Sequence, residues 1–203
     1  LPRLLAQSAQ IRLDFFEKQA ELLERLAQEG QSPYGLYIGC SDARVSPFRL
    51  LGANPGDLFF LRNVANIIPP YEQRELSVTA VLEFAIRRLQ VPHLIIMGHT
   101  DCGGIKGLDA QTDVDTSSAL SQWIEFARPA QQVVDAGPVL DELERHRAIV
   151  ERNVILQLQH VQSYPFILEA LEANRLELHG WVYYLRRRLV SAYDPALDKF
   201  VGI

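Results

Sequence analysis

Apolar positions along the chain follow two rhythms. Residues 8–29 place Ile11, Phe15, Leu22, Leu23 and Leu26 at helical spacing, with Gly30 as a stop. Gln31-Ser32-Pro33 breaks the pattern, and Leu36-Tyr37-Ile38, framed by Gly35 and Gly39, reads as a short buried strand running into Cys40. Ser46-Pro47 has the form of an N-cap followed by proline at the first helical position, opening a short helix through Leu51. Asn54-Pro55-Gly56-Asp57 is a turn, and Leu58 to Leu61 a second strand. From Glu75 to Leu89 the pattern is helical, with Val78, Leu82, Ala85, Ile86 and Leu89 on one face, until Val91-Pro92 breaks it. His93 to Gly98 is a third strand, continuous and apolar as when both sheet faces are covered. His99 lies just past its end, and Gly103-Gly104 allows a tight turn into another helix.

The second half is mostly helical, with segments at 117–127, 139–159 and 165–172. Leu176–Tyr184 and Leu189–Tyr193 read as a terminal strand pair closed by Asp194-Pro195. Trp123 and Phe126 read as packing aromatics. The polar stretch 109–116 lacks the glycine and terminal glutamate of a calcium loop and reads as ordinary loop. Strands alternating with helices predict an α/β fold: a central, mainly parallel sheet flanked by helices, with an N-terminal helical arm and a C-terminal edge strand pair. No repeat or second composition divides residues 1–203, so a single domain is expected.

Composition narrows the function. The 203 residues are 48% hydrophobic and 22% charged, a folded profile, and the net charge of −5 argues against a nucleic-acid partner. Arg186, Arg187 and Arg188 form the one basic run and read as a solvated turn or edge. No apolar stretch is long enough to span a bilayer. No secretory signal is visible, and a cytoplasmic location is expected. The chain opens on Leu1 rather than Met, which leaves open a targeting segment ahead of it.

The two cysteines sit one in each of two stretches that follow strands, Cys40-Ser41-Asp42-Ala43-Arg44 and His99-Thr100-Asp101-Cys102. In parallel sheets the functional crevice lies beyond the carboxyl ends of the strands. If the first and third strands are neighbours, the two stretches face each other. A disulfide is possible, but the nearby His99, Asp42 and Asp101 make metal binding the better reading. Cys40, His99 and Cys102 supply three ligands suited to zinc. Asp42 is the remaining candidate: as a fourth ligand it closes the site, and if Arg44 holds it as an ion pair the fourth position is open to water. A carboxylate so held could orient a zinc-bound hydroxide. Backbone N–H groups at Gly103 and Gly104 are placed to meet a small anion. Asp101 reads as a loop-capping residue, and His93, His146, His160 and His179 as surface or satisfied core residues.

Cys-x-Asp-x-Arg, then Pro-Gly-Asp-Leu-Phe with Arg62-Asn63-Val64-Ala65-Asn66, then His-x-x-Cys-Gly-Gly, in this order and spacing, strongly resembles the β-class carbonic anhydrases. A weaker echo follows in His179-Gly180-Trp181 and Ala192-Tyr193-Asp194. The resemblance implies one zinc ion per subunit on Cys40, His99 and Cys102, with Asp42 and Arg44 as the dyad beside it. It implies reversible hydration of carbon dioxide to bicarbonate and a proton. It implies a homodimer or a higher even oligomer such as a homotetramer, with residues 1–30 as an arm packed on the partner. Gln31 stands where one group of the family has a glutamine that bonds substrate, and position 37 is Tyr rather than the Trp of the bicarbonate-switched group. Both features resemble the open-site group. Phe59, Phe84 and Val64 match the apolar pocket wall, although the family often has Tyr at the position of Phe84. Two other functions stay in view: hydrolysis of carbon disulfide or carbonyl sulfide on the same scaffold, and a structural zinc module closed by Asp42.

Overall fold

The computed structural model describes residues 7–8, 15–110 and 117–203. Its elements are α1 (Ala20–Glu29), β1 (Gly35–Cys40), α2 (Pro47–Leu51), β2 (Leu58–Asn63), α3 (Leu76–Glu83), β3 (His93–His99), α4 (Gly103–Ala110), α5 (Ala119–Ile124), α6 (Arg128–Asp135), α7 (Glu142–Val161), α8 (Pro165–Glu172), β4 (Glu177–Tyr184), β5 (Leu189–Asp194) and β6 (Lys199–Gly202). One six-stranded sheet runs in the order β2-β1-β3-β4-β5-β6. The first four strands are mutually parallel and the last two antiparallel.

Every residue of β1 is buried, as are all but the first of β3, which accounts for their unbroken apolar sequences. The larger core lies on one sheet face, where Leu36, Ile38, Leu94, Ile96 and Val182 meet residues from α3, α7 and α8 such as Leu82, Val154 and Ile167. α7 crosses β3 and β4 closely: a Cβ on Gly98 would stand 2.7 Å from Val154 Cγ2, and one on Gly180 would stand 2.7 Å from Leu158 Cδ1. A smaller cluster of Tyr37, Ile95, Met97, Trp181 and Tyr183 occupies the opposite face.

Several sequence expectations need correction. In the N-terminal arm Gln7 and Ser8 are helical, Phe15–Gln19 form an irregular turn that interrupts the expected helix, α1 follows from Ala20, and Ile11 lies outside the described residues. α1 has no fully buried residue: Leu22, Leu23 and Leu26 are half-buried, with Leu26 against Gly56, so the described residues cover its apolar side only in part. Helix α3 does not run unbroken to Leu89 but widens into a π-type turn over Phe84–Arg88. His99 is the last residue of β3 rather than the first beyond it. β4 lies inside the sheet beside β3, and the terminal edge pair is β5 with β6. β6 is not announced by the sequence pattern, because the turn after Asp194 reverses the chain into only four strand residues. The helix expected over 139–159 spans Glu142–Val161, capped by Asp141, whose side chain accepts from Glu144 N–H at 2.8 Å. Asp109 belongs to α4 and pairs with Arg145, and 111–116 lie outside the described residues. Arg186–Arg188 occupy the hairpin turn between β4 and β5. No described helix is long and apolar enough to cross a membrane.

Candidate metal centre

Adjacent parallel pairing of β1 and β3 brings Cys40 and His99 to the same end of the sheet. Cys102, three residues beyond His99, caps α4 and accepts Lys106 N–H on its carbonyl at 3.0 Å. Donor atoms of Cys40, His99 and Cys102 all lie within 4.8 Å of one another, and all three residues are buried. The sulfurs stand 3.9 Å apart as free thiols, so the disulfide alternative does not hold.

Local structure sets each donor. His99 Nδ1 lies 3.0 Å from Thr100 O, which places the ring proton there and leaves the Nε2 lone pair facing the sulfurs. That Nε2 is buried and has no hydrogen-bond partner. An orphaned acceptor beside two thiols is costly unless a cation occupies the space between them. The Cys102 S–H bonds to the Cys40 sulfur, and the N–H groups of Asp42 and Ala65 add to this, so the Cys40 thiol is held well below its ordinary range despite burial. Cys102 is pushed far up by that same neighbour and by burial, although the Gly104 and Ile105 N–H groups at the start of α4 favour its thiolate. One thiolate therefore opposes the second, and a divalent cation removes the opposition. The donor set fits zinc.

Asp42 stands outside this trio. Its Oδ2 is 3.7 Å from His99 Nε2, while Arg44 donates from Nε to Oδ1 at 2.9 Å and from Nη2 to Oδ2 at 2.7 Å. The Arg44 backbone N–H adds a third bond at 2.9 Å. These bonds hold the Asp42 carboxyl far below the usual carboxylate range. Arg44 is itself braced by Asp101, on its Oδ2 at 2.6 Å and its carbonyl at 2.9 Å. Asp101 also pairs with Lys106, so it is the brace of the dyad rather than a ligand.

Arg62 and the 64–68 turn are the supports that sequence reasoning underrated. The Arg62 guanidinium donates to the carbonyls of Cys40, Asp42 and Val45 at 2.7–3.1 Å, clamping the loop that carries the dyad. Ala65 and Asn66 both adopt positive φ, 60° and 50°, which turns the Ala65 N–H toward the Cys40 sulfur. Buried Asn153 on α7 donates to Ala65 O at 3.1 Å, and Gln157 joins Asn153 to Ile68 N–H. Trp123 packs on the core and also donates its ring N–H to Val64 O at 2.9 Å. A Cβ on Gly104 would stand 2.8 Å from Val64 Cγ1 and 3.0 Å from Ala65 Cβ, whereas one on Gly103 would meet nothing within 4 Å. The Gly104 N–H points at the Cys102 sulfur rather than standing free for an anion.

The structure gathers Cys40, Asp42, Arg44, His99 and Cys102, with Val64, Gly103 and Gly104 beside them. It does not bring Gln31, Phe59 and Phe84 to the same place within one chain. Phe59 pairs with Leu36, four residues before Cys40 on β1, or roughly 13 Å toward the opposite end of the sheet. Phe84 stacks on Phe59 with ring centroids 5.6 Å apart. Gln31 is exposed and precedes the amino end of β1.

Comparison with known proteins agrees with this geometry. Residues 35–190 match the family model described as carbonic anhydrase. The chain is 36% identical over 190 residues to a carbonic anhydrase of Pseudomonas aeruginosa, covering 94% of this chain and 86% of the relative. It is 38% identical over 188 residues to carbonic anhydrase 1 of Escherichia coli O157:H7, covering 93% and 85%. Among solved structures, the β-carbonic anhydrase CcaA superposes with a TM-score of 0.94 at 33% identity, covering 100% of this chain and 91% of that one. A tetrameric β-carbonic anhydrase of Sordaria macrospora superposes with a TM-score of 0.83 at 30% identity, covering 99% and 97%. Motif, fold and similarity together make this chain a member of the β-class carbonic anhydrases.

Proposed function

We propose that the chain hydrates carbon dioxide reversibly to bicarbonate and a proton, using one zinc ion held by Cys40, His99 and Cys102, with Asp42 and Arg44 directing the nucleophile. The buried, partnerless Nε2 of His99 facing two thiols, with a carboxylate restrained alongside, carries this reading. Zinc bound there supplies the Lewis acidity that makes water a nucleophile near neutral pH. Asp42, ionised because Arg44 bonds both its oxygens, would accept a hydrogen bond from a nucleophile formed there and so fix its orientation. Arg44 meanwhile keeps Asp42 from completing the donor set, which supports the open-site group and counts against a closed structural module. Half-exposed Val64, packed against Gly104, forms an apolar edge for a substrate without charge.

The remaining wall comes from a second copy of the chain. Gln31, Phe59 and Phe84 lie away from the donors of their own chain, and Phe84 is 45% exposed although it stacks on Phe59. The incompletely buried apolar side of α1, with Phe15 and Phe16 exposed just before it, supports a homodimer or higher even oligomer whose arm lies on its partner. Stopped-flow hydration with a pH indicator tests the activity. Zinc-loaded protein giving no rate above buffer between about pH 7 and 9 would refute it. Hydrogen sulfide release from carbonyl sulfide exceeding that rate would reassign the substrate.

A further inference from the structure

A second cluster of metal-binding side chains lies at the far end of the same strands. His93 opens β3 and is paired in register with Glu177, which opens β4; His179 follows two residues later. Glu177 and His179 therefore share a sheet face, and Trp181 continues that face into the smaller hydrophobic cluster. His93 Nδ1 lies 3.2 Å from His179 Nε2 and 3.6 Å from Glu177 Oε2, and His179 Nε2 lies 3.9 Å from the same Oε2. A triangle with those sides has a circumradius of about 2.1 Å, so one point is equidistant from all three donors at the bond length zinc makes to imidazole and carboxylate. Six residue steps along β3 separate His93 from His99, roughly 20 Å of strand, so the cluster shares no donor with the catalytic centre.

We propose that His93, Glu177 and His179 form a second site for a borderline divalent metal ion, Zn²⁺ or Ni²⁺, which ties the entrance of β3 to that of β4. Two imidazoles and one carboxylate suit these ions better than calcium or magnesium, and the absence of sulfur separates this site chemically from the first. Partial exposure of all three side chains leaves the remaining coordination positions to water. Burial and the neighbouring His93 lower the proton affinity of His179, which helps keep its lone pair available.

The test is calorimetric titration of zinc-loaded protein with further Zn²⁺ at about pH 8, where protons compete little with metal. A second equivalent is expected in the unaltered chain. It should disappear in the His93→Ala/His179→Ala double variant and bind roughly tenfold or more weakly in Glu177→Gln, whose exposed side chain can change without disturbing the fold. Substoichiometric Ni²⁺ should broaden the ring-proton NMR signals of His93 and His179 and spare those of His146 and His160. Absence of a second equivalent, its persistence in the double variant, or broadening elsewhere would overturn the proposal and leave the pair as hydrogen-bonded imidazoles.

Discussion

Replacing Arg44 by alanine separates the two roles Asp42 could have. The substitution removes the Nε and Nη2 bonds that hold both Asp42 oxygens and leaves only the backbone N–H bond. Donors sharing a tetrahedral zinc stand about 3.5 Å apart when one is sulfur. Asp42 Oδ2 is already 3.7 Å from His99 Nε2 but lies outside the group whose donors are all within 4.8 Å. Completing that group therefore requires movement of at least about 1.3 Å toward the sulfurs. Two charge-assisted bonds oppose such movement. Arg44 is nearly half-exposed, so solvent screening brings their joint worth down to about 2–3 kcal/mol. Their loss should lower kcat/KM roughly 30- to 150-fold. Stopped-flow hydration measures that fall, and X-ray absorption on the same sample should show zinc retained with both sulfurs and a carboxylate oxygen newly in its shell. A variant within about threefold of the unaltered rate would refute the holding role of Arg44.

The two adjacent glycines should behave oppositely. Gly104→Ala forces a Cβ against Val64 and Ala65 and should cost about 1–3 kcal/mol in urea unfolding, whereas Gly103→Ala meets open space and should be neutral or stabilising by up to about 1 kcal/mol; the reverse order would contradict the packing. Arg62→Met frees three loop carbonyls and should speed zinc loss to a chelator about tenfold, with unchanged zinc release counting against the clamp. Glu75 caps α3, accepting from the Ser77 hydroxyl and from the Ser77 and Val78 N–H groups, and these bonds lower its pKa. Because the folded value lies below the unfolded one, the stabilisation is full above the ordinary glutamate range and fades as pH falls through the lowered value. Glu75→Gln should thus lose about 0.3–1 kcal/mol near neutrality and nothing in strong acid, as thermal melts across pH would show.

Strand identity was legible because β1 and β3 are buried on both faces and carry unbroken apolar runs. The donor trio was legible because cysteine and histidine followed directly on those strands. The brace was harder to read: Asp101 contacts Arg44 across 57 positions, and Asn153 reaches Ala65 O across 88, so no local pattern announces either bond. The dispersal of Gln31, Phe59 and Phe84 was hidden for a different reason. Motif order says nothing about which end of a strand a residue occupies, and Phe59 sits near the start of β2 while Asn63, beside Cys40, ends it. Helix α6 is hard to read because it is only eight residues long and buries little apolar surface, Ala130 with the half-buried Val134.

X-ray absorption at the zinc edge, on protein carrying one zinc per chain, tests the central claim most directly. The account predicts two sulfurs at about 2.3 Å, one imidazole nitrogen at about 2.0 Å and one further light atom, with the metal lost in Cys40→Ser. A shell without sulfur, or a Cys40–Cys102 disulfide in the active protein, would contradict it.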